Sequence, residues 1–279
     1  MKTLLILLFS IIPIFLVRAQ ENHSCCEEDA VTRFANFGKD LSFVAAHNEP
    51  GDFKLTNSHG AMITFNTPDG KTGGGYEVKA ANPTNKYLFI FHEWYGLNDY
   101  IKQECDTWSA ELGVNVIGID LYDGKVATNN AEASQYVQSV ETERGLNIIA
   151  GARDYAPKDA IFASLGWCFG GGWSCQAAIL LGDRCKACVI YYGMPEDNKD
   201  KLAKLTAPVY GIFASRDAKI NPDVVKKFED NMKELGKTVT TKIYEGDHGF
   251  ANPSNPKHDV AATADAKALV TSFLNENFK

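Results

Sequence analysis

Gly166-Trp167-Cys168-Phe169-Gly170-Gly171-Gly172 decides how this chain reads. The run before it, Ala160-Ile161-Phe162-Ala163-Ser164-Leu165, is short, apolar and partly β-branched, as a buried strand requires. The residues after it, Trp173-Ser174-Cys175-Gln176-Ala177-Ala178-Ile179-Leu180-Leu181, suit a helix. Strand, tight Gly-x-nucleophile-x-Gly turn, helix is the form of a nucleophile elbow, with cysteine where serine usually stands. The glycines let backbones pack closely around a strained turn that lifts one side chain into the open. The alternative is a buried cysteine between glycines at a helix start.

Two downstream segments favour the elbow. Pro208-Val209-Tyr210-Gly211-Ile212-Phe213-Ala214 reads as a late strand, and Ser215-Arg216-Asp217 follows it. Thr238-Val239-Thr240-Thr241-Lys242-Ile243-Tyr244 reads as another, leading into Glu245-Gly246-Asp247-His248-Gly249-Phe250. Asp217 and His248 therefore sit in loops just past strands, the edge of an open α/β sheet where ligands bind. The chain order nucleophile, acid, base is that of α/β-hydrolase triads. Singly, Asp217 reads equally as a loop carboxylate or a cap for the helix after Pro222, and His248 as a turn histidine.

These motifs, with Phe91-His92-Glu93-Trp94-Tyr95-Gly96-Leu97-Asn98-Asp99-Tyr100 and Asp120-Leu121-Tyr122, resemble those of the dienelactone hydrolase family. The resemblance runs from about Met62 to the C-terminus. It implies an α/β-hydrolase fold, a mostly parallel doubly wound sheet flanked by helices. It also implies a catalytic triad of Cys168, Asp217 and His248, and an oxyanion hole made by the backbone amides of Phe169 and Trp94. Glu93 is implied to be a carboxylate that meets Cys168 at rest and is displaced by substrate; by its residues alone it is equally a loop glutamate paired with a cation. Tyr95 and Tyr122 are placed near the substrate. The family binds an anionic substrate, helped by an arginine shortly after the histidine. Here Gly249-Phe250-Ala251-Asn252-Pro253 follows His248 with no arginine, and nothing aims Arg144, Arg153 or Arg216 at the site.

The chemistry is coherent from the residues alone. A thiolate attacks, and a free thiol with pKa ~8.5 is mostly protonated at neutral pH, so it needs a base. His248 takes the proton and returns one to the leaving alkoxide, with Asp217 fixing its tautomer. Amides opening the helix after Cys168 favour the thiolate and the developing oxyanion. A thioester on Cys168 suits esters and lactones better than stable amides. No metal-ligand set is read and no cofactor is called for. Trp94, Tyr95, Tyr122, Trp167 and Tyr192 line an aromatic pocket or pack the core.

Met1-Lys2-Thr3 followed by the apolar stretch Leu4 to Val17 and then Val17-Arg18-Ala19 reads as a secretory signal peptide, residues 1–19. The expected protein is secreted or periplasmic, with residues 20–60 an N-terminal extension and 61–279 the α/β-hydrolase domain. Removing 19 residues from 279 leaves 260, enough for one α/β domain; losing Lys2 and Arg18 takes the formal charge from −7 to −9. Such acidity argues against nucleic acid and anionic membrane as partners. Oligomeric state is not legible.

Seven cysteines, an odd number, imply at least one free thiol outside the cytosol. Cys185-x-x-Cys188 raises a redox reading, but Ala187-Cys188-Val189-Ile190-Tyr191-Tyr192 reads as a buried strand. Two rivals to an ester or lactone hydrolase follow. An exported thiol-redox protein needs Cys185 and Cys188 reactive and His248 dispensable, whereas a non-catalytic binding module leaves Cys168 inert. Strand-like runs fall at 61–65, 76–80, 87–91, 114–119, 160–165, 187–192, 209–214 and 238–244. Helical patterns fall at about 100–112, 131–150, 173–181, 223–235 and 257–277. Gly73-Gly74-Gly75 reads as a hairpin turn. The periodicity of Val31, Phe34, Phe37, Leu41 and Val44 reads as a helix packed on the domain.

Overall fold

A computed structural model of the chain describes residues 28–279. The expected signal peptide, together with Cys25 and Cys26, lies outside the described residues. The strands are β1 (Ala61–Asn66), β2 (Thr72–Val78), β3 (Lys86–Phe91), β4 (Asn115–Asp120), β5 (Ile161–Trp167), β6 (Cys185–Tyr191), β7 (Val209–Ala214) and β8 (Val239–Tyr244). They form one eight-stranded sheet in the order β1-β2-β4-β3-β5-β6-β7-β8. β1 and β2 run antiparallel, β2 pairs antiparallel with β4, and β4, β3 and β5 through β8 are parallel to one another. The central strands β3, β4, β5 and β6 are almost wholly buried, which is why they read as continuous apolar runs rather than alternating ones.

The helices are α1 (Ala30–Asn36), α2 (Leu41–Ala45), α3 (Asp99–Leu112), α4 (Asn130–Ser139), α5 (Thr142–Tyr155), α6 (Phe169–Leu181), α7 (Lys199–Leu202), α8 (Pro222–Glu234) and α9 (Val260–Asn277). Several start and stop on local signals. The Asn98 side chain accepts from the Ile101 amide to cap α3, and Gly113 ends it at φ +65°. Asn221, not Asp217, caps α8, with Pro222 as its first residue. α5 and α6 pack together on the sheet, while α3 and α9 are joined by Thr271 Oγ1 donating to Glu111 (2.6 Å). Among the described residues no helix is long and apolar enough to cross a membrane.

Three sequence readings are corrected. Gly73–Gly75 are not a turn: they lie within β2, opposite Phe65, Thr64 and Ile63, and the turn spans Thr67–Lys71 with Gly70 at φ +76°. Gly73 and Gly75 are crowded by their neighbours, whereas Gly74 between them has room for a side chain. A Cβ on Gly73 would stand 2.5 Å from the Phe65 ring, and one on Gly75 2.8 Å from the Gly118 carbonyl oxygen. The helix over 131–150 is two helices, broken where Val140 and Glu141 are extended. Apolar periodicity continues through both and hides the break. The N-terminal helix is likewise two short ones, because Asp40 starts a new helix by accepting from the amides of Ser42 and Phe43. Leu41, placed on its apolar face by periodicity, is 84% exposed.

Candidate active site

Because β3 and β5–β8 run parallel, their C-terminal ends open on one edge, and each delivers one piece of the site there. His92, Glu93 and Trp94 follow β3, Cys168 follows β5, and Tyr192 follows β6. Asp217 follows β7 and His248 follows β8.

Cys168 sits between β5 and α6 at φ +55°, ψ −119°, a conformation that L-residues rarely adopt. Its amide donates to the Tyr191 carbonyl (2.9 Å) and its carbonyl accepts from the Gly171 amide (3.0 Å), which together hold the turn. The flanking glycines permit it. A Cβ on Gly166 would lie 2.1 Å from the Gly170 carbonyl oxygen, and one on Gly170 2.2 Å from that of Phe91. The turn therefore presses α6 directly onto the end of β3.

His248 Nε2 lies 3.2 Å from Cys168 Sγ, and its Nδ1 lies 2.6 Å from Asp217 Oδ2. Asp217 is 4% exposed, and its other oxygen accepts from the amides of Lys219 and Ile220 (2.9 Å each). The carboxylate is thus fixed from the backbone and leaves one face for the imidazole. Burial works against ionisation of Asp217, but the His248 charge and these hydrogen bonds outweigh it and hold the acid below its usual range. Burial likewise works against the imidazolium of His248, yet Cys168 and Asp217 lift its pKa well above the ordinary value. Burial raises the Cys168 thiol, opposed by His248 and by a hydrogen bond from the Phe169 amide. The geometry suits proton transfer from sulfur to a well-braced imidazole.

Glu93 does not hydrogen-bond the thiol. Its Oε2 accepts from Asn252 Nδ2 (2.6 Å) and its Oε1 from Tyr192 Oη (3.3 Å). Desolvation raises its pKa to about 7, with His248 opposing. Asn252 thus stands in the segment after His248 where the family's arginine was expected, and gives Glu93 a neutral partner. Tyr95 lines the cavity, but its hydroxyl meets the Asn48 carbonyl (2.7 Å) and Asn130 (2.6 Å), so it anchors the N-terminal segment. Tyr122 lies behind the cavity wall, its hydroxyl on the Trp94 carbonyl (3.1 Å) and its ring against His92 and Phe169. Trp94 is on the cavity wall. Trp167 and Tyr192 line a neighbouring cavity of about 130 Å³ that shares Glu93 and Asn252 with the main one.

The main cavity, about 200 Å³, contains a residue the sequence reading missed. His47, just past α2, stacks on Trp94 (4.7 Å between centroids, 20° between planes), and its Nε2 lies 3.7 Å from Cys168 Sγ. Its Nδ1 faces the Phe43 carbonyl at 2.8 Å, so the neutral ring donates there and turns an unprotonated Nε2 toward the thiol. Burial and the nearby His248 charge lower its pKa to about 4. The segment is clipped down by Asn130 Nδ2 on the His47 carbonyl (2.6 Å) and by the Lys219–Asp40 ion pair at the cavity edge. The only signal in sequence was Phe43 and His47 four apart on one helical side. Arg216 also reaches the rim, but faces Glu245 (3.5 Å) and Asp247 (3.6 Å); Arg144 and Arg153 pair with Asp69, Asp123 and Asp154 elsewhere. Cys185 and Cys188 are buried free thiols in β6, as are Cys105 and Cys175 elsewhere.

The sequence model described as the dienelactone hydrolase family matches residues 74–278. The chain is 27% identical to Protein usf of Aquifex pyrophilus over 236 residues, covering 78% of this chain and 98% of the relative. It is 24% identical to carboxymethylenebutenolidase 1 of Cupriavidus pinatubonensis, covering 78% and 96%. Among solved structures, a dienelactone-hydrolase-like promiscuous phosphotriesterase from metagenomic libraries superposes with a TM-score of 0.67 at 18% identity, covering 79% of this chain and all of that one. A cold-adapted esterase from an Arctic intertidal metagenomic library gives 0.61 at 17%, covering 84% and 100%. Both similarities speak to the fold.

Proposed function

This chain belongs to the dienelactone hydrolase family, whose members hydrolyse ester bonds, and we propose that it cleaves a small ester or lactone through a thioester on Cys168. The observation that carries the proposal is the line of contacts Cys168 Sγ, His248 Nε2, His248 Nδ1, Asp217 Oδ2, set on the strained turn between β5 and α6. In this reading His248 takes the thiol proton as sulfur attacks the acyl carbon. The oxyanion is met by the backbone amides of Phe169 and Trp94. His248 then gives its proton to the leaving alkoxide, freeing the alcohol. A water, deprotonated by His248, next attacks the thioester; the acid leaves and the thiol is restored. Losing one oxyanion donor costs on the order of 10²–10³ in rate elsewhere, so these amides carry as much as a side chain.

The cavity supports a neutral acyl group. Asn252 occupies the segment where an arginine was expected, and the rim cations Arg216, Lys219 and Lys257 each face a carboxylate. Turnover of an aryl ester, a neutral lactone and a dienelactone, with Cys168→Ala alongside, tests both points. Wild-type turnover of the neutral compounds, absent in the variant, is expected. Preference for the dienelactone would overturn the neutral acyl assignment, and equal rates in both proteins would overturn the thioester. We also propose that residues 1–19 are a leader removed on export to a secreted or periplasmic protein; N-terminal sequencing of the exported protein, expected to begin near Gln20, tests this.

A further inference from the structure

Three donors of a zinc-type ligand set converge in the cavity: Cys168 Sγ, His248 Nε2 and His47 Nε2 all lie within 4.8 Å of one another. Thiolate and imidazole are the usual ligands of Zn²⁺, at about 2.3 Å for sulfur and about 2.0–2.1 Å for nitrogen. Those lengths put neighbouring tetrahedral ligands roughly 3.3–3.7 Å apart. The two sulfur–nitrogen separations, 3.2 and 3.7 Å, lie at the two ends of that range, within about 0.1 Å of it. The two rings must close on each other, by up to about 1.4 Å.

Both rings are held as metal-ligating histidines usually are. Such a ring donates its other N–H to a carboxylate or a backbone carbonyl, which fixes the tautomer and leaves the ligating nitrogen free. His248 Nδ1 meets the Asp217 carboxylate at 2.6 Å, and His47 Nδ1 meets the Phe43 carbonyl at 2.8 Å. Stacking on Trp94 holds the His47 ring in place. A fourth tetrahedral position would open into the cavity, as in zinc sites that keep a water.

We propose that His47, Cys168 and His248 form a reversible binding site for a thiophilic divalent cation of the zinc class, which occupies the nucleophile and shuts the site. Binding forms one metal–sulfur and two metal–nitrogen bonds, and the proton that Cys168 and His248 share leaves to water. No oxidation state changes. His47 makes the site: a Cys–His pair alone offers two ligands, and the third comes from a segment that precedes the family match at residues 74–278. The coordination stands apart from the ester reading; only its inhibitory consequence rests on it.

Cobalt(II) titrated into the full chain reads the coordination without any substrate, because a thiolate–cobalt bond gives a near-ultraviolet charge-transfer band and tetrahedral cobalt an intense visible one. One equivalent is expected to bind with both bands, and zinc to displace it. Cys168→Ser is expected to remove the near-ultraviolet band. His47→Phe keeps an aromatic ring on Trp94 but removes the donor. Since losing even an outer partner of a metal-bound histidine costs 10–100-fold in affinity, a loss of at least about 100-fold is expected for that variant. A band that persists in Cys168→Ser, binding unchanged in His47→Phe, or no band in the wild type would each overturn the site. Zinc that binds in this way without slowing ester turnover would leave the ligand set standing and overturn its inhibitory role.

Discussion

Asn252 Nδ2 donates to Glu93 Oε2 at 2.6 Å, so the half-buried acid beside the nucleophile is met by an amide rather than a cation. No positive charge offsets its desolvation at that contact, and its pKa rises to about 7. An acid whose folded pKa is raised contributes its stability below the unfolded value of ~4.3 and loses it as pH climbs to the folded value. Glu93→Gln, which keeps an oxygen for Asn252 and stays neutral, is therefore expected to match the wild type near pH 4. It should grow steadily more stable than the wild type up to about pH 7, with a constant difference above that. Thermal melts of both proteins across pH 4–9 check this, and a gap that narrows with rising pH would refute it.

Cys168→Ala is expected to lower turnover by on the order of 10⁵–10⁶, the scale seen when a triad nucleophile is removed. Among the five described cysteines, the same thiol should alkylate first in the native protein. Exposure does not separate it from Cys105, Cys175, Cys185 and Cys188, since all five are 0–3% exposed, but Cys168 lines the main cavity and meets His248. Peptide mapping after brief iodoacetamide treatment reads the order. Early labelling of Cys185 or Cys188 instead would favour thiol-redox chemistry.

Asp217→Asn separates orientation from charge. The asparagine oxygen still accepts from the Lys219 and Ile220 amides, so its NH₂ must face His248 Nδ1. The ring is then driven to carry its proton on Nε2, pointing at the sulfur, and no base remains. A fall in kcat of about 10⁴ is expected, as for the equivalent change in a serine triad. Fluorescence unfolding should stay within about 2 kcal/mol of the wild type. A mild kinetic effect would show that His248 works without this carboxylate.

Phe34 ties the N-terminal segment to the nucleophile. It is fully buried, with its ring 5.7 Å from Phe43 and 6.0 Å from Phe169, the residue after Cys168. Phe34→Ala should cost about 3–5 kcal/mol in denaturant unfolding. It should also loosen residues 40–48, read as faster amide exchange in that stretch than in β5. Unchanged exchange there would mean that the segment is held by its polar clips alone, chiefly Asn130 on the His47 carbonyl and Tyr95 on that of Asn48.

The amino-acid sequence determined what depends on neighbours in the chain. The elbow is legible because Gly166 and Gly170 are needed within two residues of Cys168, and the parallel strands because burial on both faces leaves unbroken apolar runs. Asp217 and His248 could be picked out because each follows a strand that must end at the same sheet edge. What only the tertiary structure decided rests on contacts between distant segments. Gly73–Gly75 became strand because β1 and β4 pair with them, with Phe65 packed against Gly73 and the β4 backbone against Gly75, although the triplet alone is a good turn. The partner of Glu93 stands 159 residues away, and His47 meets Cys168 across 121. No local propensity records such meetings. A histidine just past a short helix looks the same in sequence whether its ring faces solvent or a thiol, and the packing of Phe34 and Phe43 settles which.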